Sequence, residues 1–188
     1  MVLEIEKAIK TLEKGGVIIY PSDTIWALGC DATNQNAINK IYKIKNRNKS
    51  IPFICLMSDY KMIQKYASIN KSIINILEKF KEPTTVVYDK AQNLKTYSDS
   101  IGIRIPKESF CNNLLNKFKK PIISTSVNKS GDVFPIYFKD INSSILEQVD
   151  FTVNLRTNEK LDKASKIIRI SKDNSIITLR SYYDRKFN

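Results

Sequence analysis

The chain has 188 residues, 42% hydrophobic and 27% charged, which suits one globular domain with a buried core and excludes wholesale disorder. Its formal charge of +12 favours a phosphate-bearing partner, although a lysine taken singly reads first as solvated surface. There is no histidine, which excludes Ser-His-Asp and Cys-His catalysis, histidine bases and every zinc site with a histidine ligand.

In chain order, Ile5, Ala8, Ile9 and Leu12 recur at helical spacing, and Gly15-Gly16 supplies the stop. Residues 17–20 form a β-branched and aromatic run ended by Pro21-Ser22-Asp23, a buried strand entering a turn. Residues 25–29 predict a second extended segment. A helix starting near Asn34 carries Ala37, Ile38, Ile41, Tyr42 and Ile44, and delivers Lys45 and Arg47 at its end. Further strands are expected over 53–57, 84–88, 101–105, 121–126, 151–154, 166–170 and 175–179. Helices are expected between 58 and 80 (one or two), over 109–119 and over 138–149. Helices and strands alternate except for two strand pairs with no helix between them, so the expectation is a single α/β domain, residues 1–188, with a twisted mixed sheet and flanking helices.

Cys30, Cys55 and Cys111 are odd in number and far apart, against a disulfide framework or a thiolate zinc site. No signal peptide is visible and no apolar run approaches the ~18 residues of a spanning helix. The expectation is a soluble, cytoplasmic protein with no membrane contact.

Neither glycine-rich phosphate cradle occurs, so anion binding falls to three other places. Lys45, Arg47 and Lys49 set three cations in five residues before Pro52, a potential triphosphate clamp or simply cations at a helix C-terminus. Residues 124–131 (STSVNKSG) are a hydroxyl- and amide-rich loop after a strand, where open α/β sheets favour ligands. Arg104, Arg169 and Arg180 each sit in an apolar strand; such an arginine pairs with a carboxylate, lines a cleft or points from an edge to water.

These segments resemble the TsaC/YrdC family of threonylcarbamoyl-AMP synthases nearly end to end. Residues 15–24 (GGVIIYPSDT) are similar to the family's G-G-x-x-x-Y-P-T-[ED]-[TS] opening, and residues 25–32 (IWALGCDA) to its Y-G-L-G-x-D-A continuation. Lys45, Arg47 and Pro52 match K-x-R-x(4)-P, and residues 124–131 match S-x-S-A-N-x-S-G. Residues 102–106 (GIRIP) resemble the V-A-V-R-x-P strand, and residues 177–180 (ITLR) the closing I-x-R. The chain departs at Lys81 and Glu82, where P-G-P-x-T is usual, at Leu56, and at Lys166 and Arg169 in the S-T-I-[VI]-D element. It resembles the short type, without a C-terminal domain.

The resemblance implies an α/β fold around a positively charged cavity. It implies conversion of L-threonine, bicarbonate and ATP, with Mg²⁺, to threonylcarbamoyl-AMP and pyrophosphate. The product would pass to a separate transferase complex that modifies tRNA, with at most a weak tRNA contact by the chain itself. By matching position, Lys45 and Arg47 would be catalytic and hold the ATP phosphates, with Ser126, Asn128 and Arg180 completing the nucleotide site. Thr24, Thr85, Arg104, Ser124 and Ser165 would contact threonine. No metal-ligating residue is assigned. The absence of histidine suits this chemistry, because a carbamate is already an anionic nucleophile and needs alignment and charge neutralisation instead of a base. The alternatives are an RNA-binding module of the same fold, which the nine tyrosines, eight phenylalanines and basic charge would serve, and a related carbamoyl-transferring activity.

Overall fold

The computed structural model describes residues 1–94, 100–170 and 175–182. Its first helix, α1 (Val2–Glu13), buries Ile5, Ala8 and Leu12 along one stripe and ends where Gly15 takes φ 73°. Strands β1 (Ile18–Pro21) and β2 (Trp26–Asp31) follow as an antiparallel pair, buried throughout. Helix α2 (Gln35–Lys45) is capped by Asn34, whose side chain accepts from the Asn36 and Ala37 N–H groups, and ends with Asn46 in the left-handed region. Then come β3 (Ile54–Leu56), two short helices α3 (Tyr60–Ile63) and α4 (Lys71–Leu77), β4 (Thr84–Tyr88) and β5 (Ile101–Arg104). Helix α5 (Ser109–Phe118), capped by the Glu108 carboxylate, leads to β6 (Ile122–Ser126). Helix α6 (Ser143–Leu146) and strands β7 (Phe151–Thr152), β8 (Lys166–Ile170) and β9 (Ile176–Arg180) complete the fold.

One nine-stranded sheet runs in the order β7-β1-β2-β6-β3-β5-β4-β8-β9. It is mixed: β1/β7, β3/β5 and β4/β8 are parallel, the other neighbours antiparallel. Sequence-consecutive antiparallel neighbours number three (β1–β2, β4–β5, β8–β9), one more than the sequence reading expects. The twofold alternation of strand side chains divides two cores. Ile18, Tyr20, Ala27 and Leu56 pack on one face against α1 and α5. Ile19, Trp26, Leu28 and Cys55 pack on the other with Ile41 and Tyr42 of α2. No helix among the described residues is long and apolar enough to cross a membrane.

The expected helix over 138–149 is not continuous. A 3₁₀ turn (Phe138–Asp140) is followed by Ile141 in an extended conformation, and α6 restarts with Asn142 capping the Ser144 N–H. Ile141 and Ile145 do have helical spacing, but Asn142 competes for the backbone as an N-cap and breaks the run.

Gly29 marks where the sheet is tightest. A Cβ there would lie 2.7 Å from both the Ile123 carbonyl and the Tyr20 ring. Gly29→Ala is therefore expected to lower stability by roughly 1–3 kcal/mol, the usual cost of overpacking, as read from urea unfolding.

Candidate active site

The turn between β1 and β2 is organised by Ser22, which is fully buried. Its Oγ accepts from the Thr24 and Ile25 N–H groups and donates to the Ile25 carbonyl at 2.7 Å. The Ser22 and Thr24 hydroxyls also lie 2.8 Å apart, a contact in which either could donate. Thr24 Oγ1 in turn accepts from Arg104 Nη2 at 3.2 Å, so its lone pairs are aimed by its neighbours.

Arg104, at the end of β5, is 3% exposed. Its Nη2 lies 3.1 Å from Asp23 Oδ1, an ion pair by distance whose N–H is not directed at that oxygen. Asp23 is held from the other side by the Lys107 N–H at 3.0 Å. The arginine thus both pairs with a carboxylate and lines a cleft, two of the three fates open to a charge in an apolar strand.

That cleft is a cavity of about 350 Å³. Among the described residues four cations line it: Lys45 from α2, Arg47 just beyond, Arg104 from β5 and Arg180 from β9. Arg47 is fixed by donating to the Ile51 and Pro52 carbonyls and lies over the Phe53 ring, 5.1 Å from its centre. Arg180 donates through Nε and Nη2 to the Ser165 carbonyl, and through Nη2 to Ser165 Oγ at 3.1 Å. Thr24, Ser124, Ser126, Asn128 and Ser165 contribute hydroxyls and an amide, and Ile25, Ile54 and Ile167 an apolar wall. Of the ten residues that the family resemblance assigns to the site, nine line this one cavity. Thr85 is set behind the wall, fully buried, its hydroxyl 2.9 Å from Ser165 Oγ.

Arg169 goes elsewhere: it is part-exposed and 3.4 Å from Asp89. The departures Lys166 and Glu82 meet each other, 3.7 Å apart, with Lys166 over the Phe80 ring. Both lie outside the cavity wall, so these substitutions leave its lining unchanged. Sequence reasoning missed Asp23 as the partner of Arg104 and Asp132 in the cavity wall. A carboxylate beside a buried arginine is the signal that could have found the first; the second has none.

Lys45 is 1% exposed. Burial, and secondarily the charge of Arg47, brings its ammonium down to about 7, with Asp132 pulling the other way. Below that value Lys45 is charged in both folded and unfolded chains and the full burial cost is present. As pH rises from about 7 toward 10.5, the unfolded chain holds a proton that the folded one has lost, so stability rises. No histidine titrates near pH 7; burial pushes the Cys55 thiol up to about 12 and Cys30 and Cys111 well above the ordinary range, so above about pH 8 the unfolded chain loses thiol protons that the folded one keeps and stability falls there. The thermal midpoint of the wild type should therefore climb between about pH 7 and about pH 8, and that of Lys45→Met should stay nearly flat over that interval. Parallel curves would contradict the burial of this charge.

The family model described as "Telomere recombination" (Sua5/YciO/YrdC) matches residues 10–181. The chain belongs to the Sua5/YciO/YrdC family. Among members of this family, the threonylcarbamoyl-AMP synthase of Riesia pediculicola is 33% identical over 163 residues, 82% of this chain and 87% of that one. A Methanocaldococcus jannaschii relative is 33% identical over 184 residues, covering 94% of this chain and 86% of its own. Two solved structures share the Sua5/YciO/YrdC fold. E. coli YciO has a TM-score of 0.80 at 23% identity over 95% of this chain and 88% of that chain. P. abyssi Sua5 complexed with L-threonine has a TM-score of 0.81 at 19% identity over 94% of this chain, which spans 53% of that longer protein.

Proposed function

We propose that the chain is a threonylcarbamoyl-AMP synthase, a nucleotidyltransferase that joins L-threonine, bicarbonate and ATP for tRNA threonylcarbamoyladenosine formation. The observation that carries the reading is the joint placement of Lys45, Arg47, Ser126 and Asn128 with Thr24, Arg104, Ser124 and Ser165 around a single cavity. The relatives named for this activity, similar over most of their length, support it.

In this reading the neutral threonine amine combines with bicarbonate or dissolved CO₂ to give a carbamate, water leaving when bicarbonate is the source and a proton passing to solvent when CO₂ is. A carbamate oxygen attacks the α-phosphorus of ATP and pyrophosphate departs. Arg47 and Arg180 neutralise the phosphates, with Ser126 and Asn128 in the same wall and Lys45 adding its charge from beneath. Arg104 pairs with the threonine carboxylate, Thr24, Ser124 and Ser165 offer hydroxyls, and Thr85 acts only through Ser165. These groups align reactants and balance charge, which is what a reaction without a protein base requires.

Mg²⁺ fits as a companion of the triphosphate. Among the described residues no cluster of three His, Cys, Asp or Glu could hold a metal alone. Among the described residues Asp132 is the one carboxylate lining the cavity, and magnesium commonly takes one or two carboxylates with substrate phosphates and water. When bound, the ion would shield the phosphate charge. The adenylate would then pass to a separate transferase complex acting on tRNA, and a soluble cytoplasmic setting goes with that partnership.

The test is incubation with ATP, Mg²⁺, bicarbonate and each of several amino acids, followed by mass detection of the adenylate. A threonylcarbamoyl-AMP signal that requires threonine is expected. Tight, salt-sensitive tRNA binding without any adenylate would overturn the reading in favour of an RNA-binding module.

A further inference from the structure

An ammonium has three N–H donors, and Lys45 has three acceptors around it. Its Nζ lies 2.6 Å from the Ser126 carbonyl, 2.6 Å from the Asn128 carbonyl and 3.4 Å from Asn128 Oδ1. The residue's own carbonyl accepts from the Ser130 N–H at 2.8 Å. Lys45 therefore grips the loop after β6 through both side chain and backbone. Asn128 is equally committed: its Nδ2 donates to the Lys129 carbonyl at 2.9 Å and the Asp132 carbonyl at 2.7 Å.

Both residues thus spend their donors inside the protein. To touch a phosphate, Lys45 would have to leave two carbonyls that it now satisfies in a buried setting, which is costly. The free donors lie elsewhere in the loop. Among the described residues, the Gly131 N–H and the Ser126 and Ser130 hydroxyls have no hydrogen-bond partner, and all three residues line the cavity. Gly131 has φ 91°, a backbone setting that glycine adopts freely and L side chains rarely do.

We infer that Lys45 is a positioning residue for the nucleotide site: clamped to Ser126 and Asn128, it holds the 126–132 loop in the shape that offers the Gly131 N–H and the Ser126 and Ser130 hydroxyls to a phosphate. This rests on the nucleotide reading above and reassigns which atoms of the loop make the contact. Its charge acts across the loop, where the low dielectric preserves its effect.

The test compares ¹⁵N amide spectra of nucleotide-free wild type, Lys45→Met, Asn128→Ala and the double variant, then measures MgATP affinity of each by calorimetry. Asn128→Ala leaves the lysine and its two carbonyl bonds in place, which keeps the test alive if Lys45→Met folds poorly. In Lys45→Met the amides of residues 126–132 should move before any nucleotide is added, and MgATP affinity should fall about tenfold or more, judged from typical losses on removing a charge contact. The double variant should bind little worse than the worse single one, because both act on one loop. In the wild type MgATP should shift the Gly131 amide. An unperturbed loop in nucleotide-free Lys45→Met, with the same loss of affinity and additive effects, would overturn the proposal and make Lys45 a direct phosphate ligand. A wild type that binds no ATP would instead overturn the nucleotide reading, a result separable from both because the nucleotide-free spectra need no ligand.

Discussion

Arg104→Leu is expected to cost about 3–5 kcal/mol of stability and to abolish threonine-dependent turnover, because it breaks a buried ion pair from one side. Arg104 and Asp23 are 3% and 5% exposed at their side chains. Removing the guanidinium leaves the Asp23 carboxylate in the interior with only the Lys107 N–H, and frees Thr24 Oγ1 to rotate. Two effects are therefore mixed, and a second substitution separates them. Asp23→Asn in the Arg104→Leu background removes the stranded charge, so urea unfolding should recover part of the loss. Turnover should not recover, since the group proposed to pair with the threonine carboxylate is still missing. Full recovery of activity in that double variant would show that Arg104 serves only the fold.

Arg47→Ala is expected to lower threonine-dependent pyrophosphate release by an order of magnitude or more, the typical loss on removing one transition-state charge contact. Here stability should change much less, because Arg47 gives up hydrogen bonds to the Ile51 and Pro52 carbonyls on a part-exposed segment and strands no opposite charge. Arg47→Lys should not restore the rate. A lysine cannot hold two carbonyls with a flat fork, lie on the Phe53 ring and still present N–H groups to a phosphate. A near-wild-type rate in Arg47→Ala would remove this residue from the nucleotide site.

The helices that the sequence announces most clearly are those with a cap written beside an apolar stripe. Asn34 before Ala37, Ile41 and Ile44 gives α2, whereas the cap of the 109–119 helix, the Glu108 carboxylate, is seen only in the structure. The stretch after Tyr137 misleads because Ile141 and Ile145 keep helical spacing across Asn142, and a cap inside a periodic run outweighs the period. Family motifs located the cavity-lining residues, since order and spacing along the chain survive where single identities do not. Thr85 is the exception: a strand residue's face is set by its register against Ile167 in β8, which no local pattern encodes.

Composition and motif order by themselves determined an α/β chain without histidine chemistry, its family resemblance, and a set of cations and hydroxyls suited to phosphate. Tertiary structure alone decided what each of those groups does. Arg104, Arg169 and Arg180 look alike in sequence, yet one is buried against Asp23, one reaches Asp89 at the surface, and one is braced on Ser165. Lys45 looks like a phosphate ligand in sequence, and in the fold its ammonium donates to two carbonyls of a loop about eighty residues away along the chain. The reason is that a charged group's role depends on which donors and acceptors its neighbours leave unsatisfied, and those neighbours come from strands adjacent only in the folded sheet.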